Sequence, residues 1–374
     1  SFVNENPDLC MVDSRIRWSR TSSGTVGNIY LYYLDDAGEE QAALDYAVQE
    51  ALTCVKPWMN EIQTALALHD YLVYHVEYDQ TYSRHSAYDA LVGGSCVCQG
   101  YALAYQLLLN RCNILCVTIS SEAMNHAWNQ VCIDGEWYHV DCTWDDPLPD
   151  KYGRVLHEYF LQSDNGISQL SHYDWYSTYV CSSAAYESGR FWQGVESRIY
   201  MIDEQTADYL APYTGEANII LTRTNLARDS SQVLTSVHVD SRYDNDSWWN
   251  NRFSYLTCDG GYYLFNSADS IYLFNPDSDS VESIYTRPND GKNIYGMKVN
   301  KGVATLGIAA SPNDSCAIET VKLSYPVPEE LDSSIKDFVR RLYNVCLNRE
   351  PDQEGLNGWV NNLANGKMTG TEVA

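Results

Sequence analysis

The sequence predicts a mixed α+β protein in which a cysteine-bearing helix packs on an antiparallel sheet, followed by a β-rich region and a C-terminal helical segment. Three observations support this fold class. Apolar residues recur at helical spacing through much of residues 36–111. Short strand patterns separated by turn residues then continue to about residue 325. After Pro326 and Pro328, a helical pattern returns.

Length and composition indicate several folded domains. The chain has 374 residues, of which 45% are apolar and 13% aromatic, and it exceeds the size of one typical domain. We predict a β and loop segment over residues 1–35, an α+β domain over 36–189 and a β-rich domain of sandwich or propeller-like form over 190–325. A partial helical module is predicted over residues 332–374.

The net charge argues against nucleic-acid and anionic-lipid partners, and the cysteine spacing argues against a zinc site. The 50 acidic residues outnumber the 24 basic ones and give a net charge of −26, which repels phosphate backbones and anionic lipid. We therefore expect no nucleic-acid partner, and no apolar run long enough for membrane insertion is present. The 12 cysteines lack zinc-finger spacing, so mostly free thiols are expected. No cofactor is expected and no metal is implied, with calcium left as an open alternative because acidic loops are abundant. The oligomeric state is not predicted.

The first elements are a hairpin and two helices. Residues 15–20 and 28–34 are rich in aromatic and β-branched residues around a Ser/Gly turn, which predicts a β-hairpin. Helical spacing follows over residues 36–54 and from Pro57 to Val76. Three histidines along this part of the chain have no partner at ligand spacing and are expected to be ordinary packed or surface residues: His69, His75 and His85.

A central helix and a hairpin form the predicted core. The helix that starts near Cys98 is apolar nearly all round, which is typical of a helix at the centre of a domain. Strands are predicted over residues 114–119, 126–133 and 136–142, with a further strand of the same sheet over 157–161. Asp134-Gly135 is a two-residue hairpin turn, so His126 and Asp141 should meet at the same end of the sheet.

The second half of the chain shows repeated short strands. They are predicted at residues 219–221, 233–239, 253–258, 262–265, 271–274, 281–285 and 295–299. Beyond the proline pair, helices are predicted over residues 333–347 and from Asp352 onward, as part of a longer module that continues past Ala374. The chain begins at Ser1 and contains no signal-peptide pattern, so no leader indicates its compartment.

Thiol chemistry can be performed by three residues that follow one another along the chain: Cys98, His126 and Asp141. A helix N-terminus and a nearby imidazolium both lower the pKa of a thiol, and Cys98 has the first by position and His126 can supply the second. Asp141 would orient the imidazole, and backbone amides at the helix start would bind an oxyanion. Cys96 is the competing nucleophile, but it lies in the preceding turn and lacks the helix dipole. We therefore predict Cys98, His126 and Asp141 as catalytic residues.

The motifs that carry these residues resemble a known family. Cys98-Gln-Gly-Tyr-Ala102, His126-Ala-Trp-Asn129 and the segment from Asp134 to Asp141 resemble the bacterial branch of the transglutaminase-like cysteine protease superfamily, and Thr143 to Pro147 matches its Thr-Trp-Asp-Asp-Pro tail. The resemblance covers about residues 40–165. It implies a papain-like core, a catalytic domain over 36–189, and catalysis by the same three residues without a cofactor.

The resemblance also implies that some side chains lie near the substrate cleft of the family. For the aromatic ones, a role in the core and a contact with substrate both stay open. The predicted substrate-binding residues are Tyr88, Gln99, Trp128 and Trp144.

The C-terminal segment resembles a second family. Phe338-Val-Arg-Arg-Leu-Tyr343, Leu347 to Asp352 and Gly355 to Val360 resemble DUF4214, a repeat of unknown function frequent in bacterial cell-surface and secreted proteins. By association, this predicts an extracellular or cell-surface protein.

The predicted function is hydrolysis or transfer of acyl groups at peptide or isopeptide amides through a Cys98 thioester. The expected substrate is a peptide or protein, including cell-wall peptide. Hydrolysis is favoured because no sequence feature marks an amine-binding site. Two alternatives are a non-catalytic module that keeps this fold and binds a wall polymer or protein through its aromatic-rich middle domain, and a scaffold that only displays the core.

Overall fold

The structure is a computed structural model, and it describes residues 6–8, 12–33, 37–146, 148–212, 216–228, 230–239 and 251–326, together with 339, 343, 356, 358 and 359. Residues 1–324 form one compact unit and residues 325–374 a second. The helices predicted over 333–347 and from Asp352 lie almost wholly outside the described residues. Within the described part of the chain, no helix combines the length and apolar character needed to cross a membrane. The domain boundaries predicted at residues 35 and 189 stay predictions.

In the described part of the N-terminal region, one hairpin precedes three helices. Strands β1 (Val12–Arg20) and β2 (Val26–Tyr33) pair antiparallel, as the turn pattern predicts. Helices α1 (Ala37–Leu52), α2 (Glu61–His75) and α3 (Ala87–Leu91) follow.

Helix α2 starts later than the predicted position at Pro57, and the cause is its cap. The side chain of Asn60 accepts a hydrogen bond from the Gln63 amide at 2.9 Å, and the side chain of Gln63 accepts one from the Asn60 amide at 3.0 Å. This capping box satisfies two amides that have no partner inside the helix, and it fixes the first helical residue at Glu61.

Helix α4 (Cys98–Arg111) is the centre of the first half of the molecule, as predicted. A short parallel pair, β3 (Glu77–Tyr78) with β4 (Ser95–Cys96), leads into it. The start of α4 packs closely on the preceding strand, because a Cβ atom at Gly100 would lie 2.5 Å from the Cβ of Cys96. A glycine is therefore needed one turn into this helix.

Strands β5 (Cys116–Ser121), β6 (His126–Ile133), β7 (Glu136–Val140) and β8 (Phe160–Gln162) form an antiparallel sheet in sequence order. Helix α4 packs against β5 and β6. The turn between β6 and β7 has positive φ angles of 51° at Asp134 and 85° at Gly135, as a type I′ hairpin turn requires. The predicted hairpin register is thus confirmed, with Asn129 opposite Val140.

Three predicted strand bounds in this sheet are wrong for identifiable reasons. Strand β5 begins at Cys116 because the Ile114 amide instead bonds the Leu109 carbonyl at 3.0 Å and closes helix α4. Strand β7 ends at Val140, before Asp141. Strand β8 begins at Phe160, because the amides of the two preceding residues donate to the Asp145 side chain.

The β-rich half contains three antiparallel meanders after the short helix α5 (Asp164–Gln169). The first comprises β9 (Tyr200–Asp203), β10 (Thr206–Leu210), β11 (Asn218–Asn225) and β12 (Ser230–His238). The second comprises β13 (Leu256–Asp259), β14 (Tyr262–Asn266), β15 (Ser270–Asn275) and β16 (Ser280–Thr286). The third comprises β17 (Asn293–Asn300), β18 (Val303–Ala309) and β19 (Ala317–Lys322).

The sequence prediction located seven of these strands and missed β9, β10, β18 and β19. It also began β13 too early, since Phe253 lies in a 3₁₀ turn over Asn251–Phe253. The two buried clusters of the molecule divide within β10: one extends from Leu44 to Tyr209, and the next from Leu210 to Ala309. Strand β10 therefore contributes to both cores.

Candidate active site

Cys98 is the first residue of helix α4, and the start of this helix has no side-chain cap. The N-cap residue is Val97, which makes no side-chain hydrogen bond. By contrast, side chains cap helices α2, α3 and α5, at Asn60, Ser86 and Ser163. A valine side chain has no acceptor, so it caps neither the Cys98 nor the Gln99 amide, whereas the Gly100 amide donates to the Val97 carbonyl at 2.9 Å.

The structure separates Cys98 from the rival thiol of Cys96. Cys96 is fully buried, and burial raises the pKa of its thiol far above the ordinary range. Cys98 is partly exposed and lines a cavity. Because a thiol attacks only as the accessible thiolate, Cys98 is the nucleophile candidate of this pair.

His126 reaches both the thiol and a buried carboxylate. It is the first residue of β6, and Asp141 directly follows β7, so the hairpin brings the His126 Nε2 within 2.5 Å of the Asp141 Oδ2. The remaining ring nitrogen is Nδ1, and the ring forms a hydrogen bond with Cys98. Burial disfavours a charged ring, but the charge and hydrogen bond of Asp141, with the Cys98 thiol, raise the pKa of His126 to about 10.

Asp141 is completely buried and accepts four hydrogen bonds. Its Oδ1 accepts from the amides of Thr143 at 2.9 Å and Trp144 at 3.2 Å. Its Oδ2 accepts from the Nε2 of His126 and, at 2.8 Å, from the Nε2 of His172. Burial alone would raise the pKa of Asp141, but the two histidines lower it, so the carboxylate stays ionised.

His172 is a site residue that the sequence analysis missed. It lies three residues past the end of α5, in a stretch without regular secondary structure, and only 1% of its surface is exposed. Its ring packs at 4.3 Å from that of Trp144 and at 4.9 Å from that of Trp128. No spacing or local pattern relates it to Asp141, which precedes it by 31 residues.

A cavity of about 500 Å³ opens over Cys98 and His126. One wall comes from the segment between β3 and α4, and the other from the end of β5 and the start of β6. The lining residues are Tyr78, Tyr82, His85, Val97, Cys98, Gln99, Ser120, Ser121, Glu122, Asn125, His126 and Ala127. The ring of Tyr82 stands in solvent at this edge, with 68% of its surface exposed.

The four predicted substrate-binding residues are placed differently. Gln99 lines the cavity, whereas Tyr88, Trp128 and Trp144 are absent from its lining. Tyr88 packs against the core of the first half. Trp128 is 1% exposed and stacks on the His126 ring at 5.6 Å, and the Trp144 ring lies 5.4 Å from the same ring. The two tryptophans therefore support the imidazole from within the fold.

Among the residues that the structure describes, three side-chain groups have ligand atoms near enough to share a metal ion: His126 with Asp141 and His172, His69 with Asp70 and His157, and His139 with Asp164 and Cys181. In each group, imidazole nitrogens lie 2.5 to 3.1 Å from carboxylate oxygens. Direct hydrogen bonds account for this spacing, so these groups are complete as imidazole and carboxylate pairs.

Sequence comparisons relate two parts of this chain to known proteins. Residues 329–374 match the model of a domain of unknown function, DUF4214. Kyphoscoliosis peptidase of Mus musculus is 22% identical over an alignment of 182 residues that covers 42% of this chain and 28% of that protein, so the chain spans less than a third of this curated relative.

Two solved structures are also similar to this chain. A transglutaminase structure shares 10% identity over 38% of this chain and 47% of its own, with a TM-score of 0.26. A proposed cysteine protease from Cytophaga hutchinsonii shares 18% identity over 34% of this chain and 61% of its own, with a TM-score of 0.23.

A family model matches the part of the chain that contains the site. Residues 51–142 match the model of the transglutaminase-like superfamily, and this segment includes Cys98, His126 and Asp141. The chain therefore carries a domain of the transglutaminase-like superfamily.

Proposed function

We propose that the protein is a thiol-dependent acyl hydrolase or acyltransferase that acts on peptide or isopeptide amides. Cys98 is the nucleophile, His126 the general base and then acid, and Asp141 the residue that orients the imidazole. The observation that supports this most is the position of Cys98, at an uncapped helix start and in one cavity with a histidine whose other nitrogen is held by a buried carboxylate.

The first half of the reaction forms a thioester. The Cys98 proton first passes to the His126 Nδ1, and the sulfur then attacks the amide carbonyl carbon. The negative charge on the carbonyl oxygen is stabilised by the amides of Cys98 and Gln99 at the start of α4. His126 then gives its proton to the leaving nitrogen, the C–N bond breaks, and an amine departs. The acyl group is left on sulfur.

The second half releases the acyl group. Water or a second amine attacks the thioester carbon, His126 takes a proton from that nucleophile, and the sulfur leaves and regains a proton from His126. Hydrolysis and acyl transfer therefore use the same residues and differ only in the acceptor. The DUF4214 segment adds the proposal that the enzyme works outside the cell or on its surface, where peptides or proteins, including cell-wall peptides, are its substrates.

The test of this function compares Cys98 with the other thiols. Iodoacetamide at neutral pH, followed by peptide mass mapping, should alkylate Cys98 at least tenfold faster than any other cysteine, because an imidazolium and a helix N-terminus favour the thiolate. A mixed peptide and amine library, analysed by mass, should yield cleaved or crosslinked products with the wild type and none with Cys98→Ala.

The matched control is Cys96→Ala, since Cys96 is buried two residues away and does not line the cavity. It should keep both the fast labelling and the products. If Cys98 reacts no faster than the other thiols and Cys98→Ala retains every activity, the enzyme proposal is wrong, and the non-catalytic binding module is the better description.

A further inference from the structure

The buried carboxylate of the proposed active site serves two histidines at once. The Asp141 Oδ2 lies 2.5 Å from the His126 Nε2 and 2.8 Å from the His172 Nε2. His126 faces the cavity, whereas His172 is shut inside the protein and has no access to the Cys98 thiol. A role for His172 in the reaction therefore has to act through Asp141, and it rests on the proposed function.

The positions of the protons follow from the partners. An ionised carboxylate only accepts hydrogen bonds, so each Nε2 that faces Asp141 carries a hydrogen. Together with two backbone amides, these histidines give the carboxylate four donors, about as many as its two oxygens have lone-pair sites. Asp141 is thereby held on every side, and rotation of its carboxylate would break at least one of these bonds.

We propose that His172 is a positioning residue for the thiol reaction: it locks the Asp141 carboxylate in place and, by sharing Oδ2, limits how strongly Asp141 holds the proton on His126. Hydrogen-bond donors stabilise a carboxylate and weaken its pull on any one partner. His172 therefore keeps His126 able to release the proton that the leaving nitrogen must receive.

The surroundings of His172 keep its ring fixed. Trp128, Trp144 and Tyr159 pack around it at ring distances of 4.9, 4.3 and 5.5 Å. The ionisable groups that face the His126 and His172 pair are Asp141, Cys98, Tyr159 and His139. Asp141 is the only carboxylic acid among these four, so a change at His172 reaches His126 mainly through this one carboxylate.

Removal of His172 has a predictable sign. Without its N–H, the negative charge on Asp141 is stabilised less and attracts the His126 proton more, so His126 stays protonated to a higher pH. The sign is the same if His172 carries a positive charge, because losing that charge also favours protonation of His126. A purely structural role for His172 would lower stability and leave this titration where it is.

The experiment measures His126 itself in the intact chain. The imidazole signal of His126, assigned by its loss in His126→Gln, is titrated by NMR in the wild type, His172→Phe and His172→Gln. His172→Phe should raise the midpoint by about half a pH unit or more and lower turnover about 10- to 100-fold, as expected when a reacting group is misplaced. His172→Gln, whose amide can donate to Oδ2 in place of Nε2, should restore most of both.

The outcomes separate this proposal from the proposed function. If His172→Phe folds but leaves the His126 midpoint and turnover unchanged, or if His172→Gln fails as badly as His172→Phe with a wild-type melting temperature, the positioning role is wrong. If Cys98 of the wild type is not the fast-reacting thiol, the proposed function itself fails. Should His172→Phe not fold, His172→Gln and His172→Asn carry the test, because the asparagine amide is too short to reach Oδ2 and should reproduce the shift.

Discussion

Two buried groups of histidines and aspartates in this protein use the same chemistry for different ends. The His126 group consists of His126, Asp141 and His172, and the His69 group consists of His69, Asp70, Asp145 and His157. The acids of the two groups are close in sequence, since Asp141 and Asp145 lie one turn apart and the Asp145 amide donates to the Asp141 carbonyl at 3.2 Å. Their surroundings differ.

The His69 group is closed on itself. The Nδ1 of His69 lies 3.1 Å from Asp70 Oδ1, and its Nε2 lies 3.1 Å from Asp145 Oδ2. His157 bonds Asp70 Oδ1 at 3.0 Å through Nε2 and the Val195 carbonyl through Nδ1. Backbone amides take up the remaining carboxylate oxygens, including that of Ile199 at 2.8 Å from Asp70 Oδ2. The group thus ties helix α2 to three separate segments.

The difference lies in what the imidazole can reach. His69 has no exposed surface and both of its nitrogens face carboxylates, so its ring cannot exchange a proton with a thiol or a substrate. His126 has one nitrogen on a carboxylate and keeps the other for a thiol in an open cavity. A buried histidine and aspartate pair therefore indicates catalysis only when one ring nitrogen is left for an accessible reacting group.

The strongest test of this difference is to replace one aspartate of each group by asparagine. Asp141→Asn should lower turnover on the order of 10³- to 10⁴-fold, because an amide no longer stabilises the charged imidazole or selects its tautomer. Asp70→Asn should leave turnover per folded molecule within a few-fold of the wild type. The rates of product formation and of Cys98 alkylation, normalised to folded protein, measure both.

A comparable loss of rate in the two variants would show that the His69 group also serves the reaction. Circular dichroism of both variants at the assay temperature provides the control for folding. A loss in neither variant would remove Asp141 from the proposed catalytic residues.

The Asp70 variant should also lose stability. Asp70→Asn should lower the free energy of unfolding by about 3–5 kcal/mol, because it removes one partner of a buried ion pair and leaves the charge on His69 less compensated. Chemical denaturation with urea measures this difference. A loss below about 1 kcal/mol would mean that the His69 group contributes little to the cohesion of the fold.

The sequence predicted those parts of the site that depend on local chemistry. The start of α4 at Cys98 and the antiparallel meeting of His126 with Asp141 follow from a glycine turn, an apolar helix pattern and an Asp-Gly hairpin. The strand bounds failed where other hydrogen bonds override the pattern. At Ile114 this is a local bond that closes helix α4, and before β8 it is a bond to the distant Asp145 side chain.

The remaining site residues could not be predicted because their partners come from distant segments. His172 reaches Asp141 through a stretch without regular structure, and no periodicity fixes where such a stretch runs. His69 was expected to be an ordinary packed histidine, and it is buried. Its two acids, however, come from its own helix and from a turn 76 residues away. The Tyr82 edge of the cavity likewise depends on how a loop folds over the sheet.

A third, smaller effect concerns pH. Burial opposes the charge on His69, but hydrogen bonds that its ring donates to Asp145 and Asp70 raise its pKa to about 9, above the value near 6.5 of an unfolded chain. The charged His69 therefore contributes stability that is full below about pH 6.5 and is lost as the pH rises through about 9.

Thermal melting from pH 6 to pH 10 measures this contribution. The wild type should lose more stability over this range than His69→Gln, by roughly 2–8 °C in melting temperature. The exposed His238 provides the matched control, since His238→Gln should follow the wild-type curve. Parallel curves for the wild type and His69→Gln would show that His69 is neutral in the folded protein.

The smallest expected effect on turnover concerns the uncapped start of α4. It tests whether the amides there distinguish the His126 group from the His69 group. Val97→Thr keeps the shape of the side chain but adds a hydroxyl that can accept a hydrogen bond from a first-turn amide. That amide would then be less available to an oxyanion. We expect turnover to fall about tenfold, as for partial loss of one oxyanion donor, while the stability changes by less than about 1 kcal/mol.

The matched variant is Asn60→Ala, which removes the cap of α2 at 2.9 Å from the Gln63 amide. It should cost about 1 kcal/mol of stability and leave turnover per folded molecule unchanged. If Val97→Thr is as active as the wild type, the first-turn amides do not bind the oxyanion. Access to the Cys98 thiol is then the feature that distinguishes the His126 group from the His69 group.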